Sequence, residues 1–225
     1  MVDAPPGASA VVTFGDSITD GNGSTIDASN RWPDVLARRL AEASTPISVI
    51  NEGISGARVL SDRMGVNALA RFDHDVVVQP HVTTVILMMG INDIGWPQSV
   101  LDPGAKLPAP DTVIDGYRQL ILRAHLHGLR ILAATLTPFE DTYQGRPLEG
   151  FYSPEKEEVR LAVNSWIRKS DAFDDVIDFD SVTRDPNRPS HLQATFDSGD
   201  HLHPNDAGYV AMGSAIDLKT LSDHR

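Results

Sequence analysis

Five short apolar runs alternate with segments of helical periodicity along this 225-residue chain, and this alternation constrains its fold more than any other feature. The predicted strands are residues 10–14, 47–51, 83–89, 130–135 and 175–178. Most of them are continuously apolar, which is typical of strands covered on both faces of a parallel sheet. Strands that alternate with helices therefore predict an α/β fold with a parallel sheet.

Apolar spacing and boundary residues predict the helices between these strands. They comprise a helix after a capping Asn30, one over 113–124 ended by Gly128, one capped by Ser153, and one from Pro204 toward Leu218. Two long loops, 95–111 and 138–153, leave the predicted carboxyl ends of strands. Ligands bind at this edge of open α/β sheets, so both are interpreted as binding loops.

The net negative charge of the chain limits the kinds of partner that it is expected to bind. Nineteen Lys and Arg residues oppose 31 Asp and Glu residues, for a formal net charge of -12. Such a charge disfavours nucleic acid and anionic membrane surfaces, so a small neutral substrate is expected. The chain has no cysteine, which excludes disulfides, thiolate catalysis and cysteine-based zinc sites.

The length fits a single domain over residues 10–225, preceded by a linker or N-terminal extension over residues 1–9. The first seven residues lack the basic start and apolar core of a secretory signal, and no segment is apolar enough for stable membrane insertion. A soluble protein is therefore expected. The opening segment also allows the hypothesis that this chain is a domain of a longer or exported protein. The sequence predicts neither compartment nor oligomeric state.

Ser17 is a candidate nucleophile because an apolar strand delivers it onto a turn rich in Gly and Asp. A serine hydroxyl needs a base, a group that orients the base, and donors for the oxyanion. Asp200 precedes His203 by three residues, so its carboxylate can accept from Nδ1 and leave Nε2 for Ser17. The competing interpretations are a solvated turn serine, and an Asp200 and His203 that only cap the helix opened by Pro204.

Other residues near these motifs each allow more than one interpretation of their role. Gly56 could present its backbone N–H to a substrate oxygen or be a flexible turn residue, and Gly53 competes for the same role. Asn92 could donate its side-chain amide to an oxyanion or close an Asx turn. His201 and His203 could together bind a metal, although Pro204 favours a turn that separates their faces.

Four motifs in order resemble the SGNH or GDSL hydrolase family. They are Gly15-Asp16-Ser17, Asn51-x-Gly53-x-Ser55-Gly56, Gly90-x-Asn92-Asp93 and Asp200-x-x-His203, within a resemblance that runs from Val11 to about Gly213. The resemblance implies a three-layer α/β/α flavodoxin-like domain with a five-stranded parallel sheet in the order 2-1-3-4-5.

The resemblance also implies the chemistry. Ser17 would be the nucleophile, His203 the base and Asp200 its orienting carboxylate, with Ser17, Gly56 and Asn92 forming the oxyanion hole and no cofactor or metal. The expected function is hydrolysis of small carboxylic esters, with short acyl chains expected from the loop composition. The alternatives are a carbohydrate O-acetylesterase and, if the constellation has decayed, a non-catalytic binding module.

Overall fold

The computed structural model describes residues 7–222, and five parallel strands form its sheet. The strands are β1 (Ser9–Gly15), β2 (Ile47–Gly53), β3 (Val82–Met88), β4 (Arg130–Ala134) and β5 (Asp175–Ile177). Their spatial order is β2-β1-β3-β4-β5, as predicted. Each strand begins and ends within two residues of its predicted bounds. The flavodoxin-like α/β/α fold is thereby confirmed.

The helices surround this sheet on both faces. They are α1 (Ser17–Asp20), α2 (Trp32–Glu42), α3 (Ala68–Phe72), α4 (Ile91–Gly95), α5 (Pro110–Leu126), α6 (Pro154–Lys169), α7 (Phe179–Thr183), α8 (Asp206–Ala215) and α9 (Lys219–Ser222). The chain continues beyond α3 as a π-helical turn, Asp73–Val77. Within residues 7–222, no helix combines the length and apolar character needed to cross a membrane.

Alternate residues of the central strands enter two separate cores, because successive side chains of a strand point to opposite faces. Val12 and Phe14 pack with α3, α5 and α6 on one face. Val11 packs with α2, α7 and α8 on the other. This double coverage explains why the strands are apolar without alternation.

Two helix starts differ from prediction, whereas the Ser153 cap is confirmed by its bond from the Lys156 N–H. Helix α2 is capped at Arg31, not Asn30, because Asp34 accepts from both the backbone and the guanidinium of Arg31. Helix α8 begins at Asp206, not Pro204, because the side chain of Asn205 caps it.

The strand order positions the functional residues. β1 lies between β2 and β3, so the segments that leave the carboxyl ends of these three strands meet at one edge of the sheet. This is the switch point of an open α/β sheet, where the chain leaves neighbouring strands in different directions and a crevice forms.

Candidate active site

Ser17 is the first residue of α1 and lies two positions after Gly15, the last residue of β1. Asp16 caps α1 with a 3.1 Å bond from the Ile18 N–H to its Oδ1, which places Ser17 at the first helical position. Gly15 permits the tight exit from the sheet, because a Cβ there would lie 2.6 Å from the carbonyl oxygen of Met88. The local sequence thus holds Ser17 at the centre of the crevice.

Ser17, His203 and Asp200 form a hydrogen-bonded row. His203 Nε2 lies 2.8 Å from Ser17 Oγ, and His203 Nδ1 lies 2.6 Å from Asp200 Oδ2. Ser17 and His203 are buried, with 5% and 2% of their surfaces exposed. The structure therefore brings together the three residues expected to act as nucleophile, base and orienting carboxylate.

Asp200 is held ionised by its surroundings. Burial acts to raise its pKa, but the His203 ring and the backbone N–H groups of His203 and Leu202 all donate to the carboxylate. These bonds outweigh burial and keep the pKa of Asp200 well below its ordinary value. Asn205 caps α8, so the competing interpretation, in which Asp200 and His203 only cap this helix, does not hold.

His201 faces away from the Ser17 row. Its side chain is 46% exposed and its Nδ1 pairs with Asp197, whereas His203 pairs with Asp200. The backbone of His201 is in the left-handed conformation, with a φ of 64°, so the chain turns before it reaches His203. The two rings consequently belong to different carboxylates.

One group of three possible metal ligands occurs within the described part of the chain: Glu140, Asp141 and His191. The His191 ring lies between the two carboxylates, with Nδ1 3.3 Å from Glu140 and Nε2 3.1 Å from Asp141. The two acids thus face different nitrogens of one ring.

Gly53 and Gly56 have different structural roles. A Cβ on Gly53 would lie 2.2 Å from the backbone nitrogen of Asp20, so Gly53 lets α1 approach the end of β2. Gly56 has a φ of 77° and lines the cavity beside Ser17. Within residues 7–222, the N–H groups of Ser17 and Gly56 donate to no protein acceptor, which leaves both for a ligand oxygen.

The side chain of Asn92 is oriented by two fixed partners. Its Oδ1 accepts from Trp96 Nε1 at 3.0 Å, and its Nδ2 donates to the carbonyl of Ala57 at 3.0 Å. Because an indole N–H can only donate and a carbonyl can only accept, the amide has one possible orientation. The second proton of Nδ2 remains available to the cavity that Asn92 lines.

Asp93 fixes the loop that carries Gly56. The N–H groups of Val59 and Leu60 donate to its carboxylate at 2.8 and 3.0 Å. Burial raises the pKa of Asp93 to about 6, although these two bonds act to lower it. Asn92 and Asp93 thus attach the beginning of α4 to the segment that follows Gly56.

The row opens into a cavity of about 280 Å³. Its walls are mostly apolar and include the side chains of Met64, Trp96, Leu101, Tyr143, Leu148, Phe151 and Leu202. Trp96 and Leu101 come from the predicted binding loop 95–111, and Tyr143, Leu148 and Phe151 from the loop 138–153. Both loops therefore reach the site, as the sequence predicted.

Sequence reasoning missed Asn22 and Met64. Asn22 Nδ2 lies 3.5 Å from His203 Nε2, and the Met64 side chain lies over Gly56. Asn22 follows Ser17 by five residues in the same turn, between two glycines, and this pattern is a signal that could have been used. Met64 lies in an irregular segment without periodicity, so its place required the tertiary structure.

The chain as a whole also matches a known family. The chain matches the GDSL-like Lipase/Acylhydrolase family over residues 11–216, and it belongs to that family. No match was found among curated proteins.

Solved structures with the same fold extend this comparison. A candidate lipolytic protein of the G-D-S-L family from Desulfitobacterium hafniense DCB-2 is 21% identical, with a TM-score of 0.65 and coverage of 92% of this chain and 97% of that one. A candidate arylesterase from Agrobacterium tumefaciens str. C58 is 21% identical, with a TM-score of 0.68 and coverages of 95% and 99%. Est24, a carbohydrate acetylesterase from Sinorhizobium meliloti, is 18% identical, with a TM-score of 0.66 and coverages of 95% and 99%. At these identities the likeness shows a shared fold.

Proposed function

We propose that this protein is a serine esterase that hydrolyses carboxylic esters, with Ser17, His203 and Asp200 as its catalytic triad. The observation that carries the proposal is the continuous row from Asp200 through His203 to Ser17 Oγ, with bonds of 2.6 and 2.8 Å. It ends in a cavity that also holds Gly56 and Asn92. Family membership supports an ester as substrate.

In the first half of the reaction, Ser17 Oγ attacks the acyl carbon while His203 Nε2 takes its proton. The tetrahedral intermediate collapses to an acyl-serine, and the imidazolium returns the proton to the departing alcohol. Water then attacks the acyl-serine with His203 again as base, and the acid leaves as Ser17 regains its proton. The ionised Asp200 stabilises the imidazolium in both halves, so no cofactor is required.

Three donors are proposed to stabilise the oxyanion: the backbone N–H groups of Ser17 and Gly56, and Nδ2 of Asn92. Each belongs to a segment that follows one of three adjacent strands, and the Asn92 amide is already oriented before substrate binds. Donors fixed in advance need no reorganisation when the charge develops, which makes them effective in catalysis.

The apolar cavity beside Ser17, called the ester cavity below, is proposed to hold the acyl group, and its volume limits the length of that group. A space of about 280 Å³ bounded by Trp96, Phe151 and Leu202 suits acetyl to butyryl groups. The carbohydrate O-acetylesterase is the second candidate, because the chemistry at Ser17 is the same and only the alcohol differs. The complete row and the free oxyanion donors argue against a decayed, non-catalytic binding module.

Hydrolysis of p-nitrophenyl acetate by the wild type and by Ser17→Ala tests the proposal. Loss of the nucleophile of a triad lowers kcat on the order of 10⁶-fold in other hydrolases. The fold should persist in the variant, as checked by circular dichroism, because the Ser17 side chain only bonds His203. Activity within tenfold of the wild type would reject the mechanism.

A further inference from the structure

A second pocket, of about 370 Å³, lies on the loop that follows α1. It is lined by residues 20–27 and 29–31, and it is called the loop pocket below. Its volume falls within the range of small-molecule sites. The reaction proposed above requires no residue of this loop.

The loop pocket adjoins the ester cavity at two points. Asn22 lines both spaces. Asp20 lines the loop pocket and accepts a 2.6 Å bond from the hydroxyl of Ser55, which lines the ester cavity. The two spaces therefore share a boundary at Asn22 and at the Asp20–Ser55 pair.

The chemistry of the ester determines which half enters the loop pocket. The leaving oxygen receives its proton from His203 Nε2, so it must lie beside that atom in the transition state. Asn22 Nδ2 lies 3.5 Å from Nε2, at the boundary of the two spaces. An alcohol half that extends from His203 past Asn22 would enter the loop pocket.

The segment that carries His203 also holds the loop pocket in shape. The Asp206 carboxylate accepts bonds from the Thr25 N–H, the Thr25 hydroxyl and Asn30 Nδ2 at 2.7 to 2.9 Å. The hydroxyl of Tyr209 donates to the Asn22 carbonyl at 2.6 Å. The pocket and the proton donor for the leaving group are therefore positioned together.

The lining of the loop pocket favours a neutral alcohol with several hydroxyls. Asp27, Ser29 and Asn22 supply acceptors and donors, and Asp27 and Ser29 are exposed to solvent. Arg31 is engaged by Asp34 through two bonds of 2.7 and 2.9 Å. With Asp20 and Asp27 present and Arg31 neutralised, an anionic alcohol is disfavoured.

We infer that the loop pocket binds the alcohol half of the ester and that this alcohol is a neutral polyol of the size of a monosaccharide. The inference rests on the proposed esterase function. Asn22 would contact the polyol next to the leaving oxygen, and Asp27 and Ser29 would bond its hydroxyls. The ester cavity and the loop pocket would thus divide the substrate into an apolar acyl half and a polar alcohol half.

A matched pair of acetate esters tests this division: methyl glucoside acetylated on its primary hydroxyl, and cyclohexylmethyl acetate, which has a ring without hydroxyls. We expect kcat/KM of the wild type to be at least about tenfold higher for the sugar ester, which two or three hydrogen bonds can provide. In the double variant Asp27→Gly/Ser29→Gly, this ratio should fall by about tenfold. Glycine is compatible with φ values of 60° and 52° at these positions.

The control is Ser44→Gly/Asp171→Gly, which replaces the same residue types at φ values of 54° and 51°, outside both pockets. The control should keep the wild-type ratio, and methyl glucoside should inhibit wild-type hydrolysis of p-nitrophenyl acetate competitively. A wild-type ratio near one, equal ratios in the two double variants, or no inhibition would overturn the inference. Failure of the wild type on p-nitrophenyl acetate would instead reject the proposed esterase.

Discussion

The Nε2 atom of His203 lies 2.8 Å from the Oγ atom of Ser17, although 186 positions separate the two residues in the chain. Ser17 leaves the central strand, and His203 lies in the loop before the C-terminal helix α8. This contact marks the site of the proposed reaction. Substitutions of the residues around it can therefore be compared through their effects on kcat and KM.

His203→Ala should lower kcat about as severely as the loss of Ser17, on the order of 10⁶-fold. His201→Ala is the matched control, because His201 pairs with Asp197 and is largely exposed. That variant should keep most of the activity in the same p-nitrophenyl acetate assay. If His201→Ala were the more severe change, the assignment of the base would be wrong.

Asp200→Asn should be less damaging than Ser17→Ala, with a loss of kcat of about 10⁴ against about 10⁶. The amide oxygen can still accept from the backbone N–H groups of Leu202 and His203, but the charge beside the imidazolium is lost. Steady-state kinetics of both variants on one ester gives the comparison. Equal losses would show that the Asp200 charge is as necessary as the nucleophile.

Asn92→Ala should lower kcat by roughly 10²–10³, as removal of one oxyanion donor does. It also leaves the buried Trp96 Nε1 without its acceptor, so thermal stability should fall. Trp96→Phe removes the same indole bond but keeps the Asn92 amide and its bond to Ala57, so it should show a loss of stability with a smaller loss of kcat. An Asn92→Ala effect on KM alone would indicate substrate binding in place of transition-state stabilisation.

Asp16→Asn should raise the free energy of unfolding relative to the wild type, and this difference should grow as pH rises from about 4 to about 8. Burial raises the pKa of Asp16 from 3.8 to about 7, so the native state retains a proton that the unfolded state has lost. The wild type therefore loses stability over this range, by on the order of 2–4 kcal/mol at most. The amide introduced by the substitution does not titrate, and its oxygen can still accept from the Ile18 N–H.

Urea unfolding of the wild type and of Asp16→Asn across this pH range measures the difference. Asp93 titrates in both proteins, but its charge also acts to raise the pKa of Asp16, so the measured difference includes the interaction between these two carboxyl groups. A difference in the free energy of unfolding that stays constant or shrinks with rising pH would contradict the assignment of the proton to Asp16.

Among p-nitrophenyl esters from acetyl to palmitoyl, kcat/KM should be highest for acetyl to butyryl. Each buried methylene contributes only ~0.8 kcal/mol, and a cavity of about 280 Å³ offers no space for a long chain. A steady rise beyond octanoyl would overturn the short-chain preference. Met64→Ala should extend the preferred length, since Met64 is 62% exposed at the cavity rim and can be truncated without a core void.

Local patterns were sufficient for much of this protein. The five strands were predictable because most of them are continuous apolar runs, and both faces of the sheet are covered. Ser153 was predictable as a cap because capping depends on residues within one turn. Asn30 was not, because its amide bonds Asp206, 176 positions away, while Arg31 caps α2.

The candidate site shows the same division between local and long-range information. The spacing of Asp200 and His203 predicts their bond, since three residues of one turn suffice to form it. Spacing could not choose between Gly53 and Gly56, because the choice depends on which backbone approaches each glycine. Only the folded chain shows α1 against Gly53 and the cavity beside Gly56.

The sequence by itself determined the alternation of strands and helices, the chemical groups available for catalysis, and the absence of cysteine chemistry. The tertiary structure alone decided that Asn22 lies beside His203, that Met64 covers Gly56, and that a polar pocket adjoins the ester cavity. The physical reason is distance along the chain. Periodicity and capping act within a few residues, whereas the site forms from loops that a parallel sheet brings to one edge.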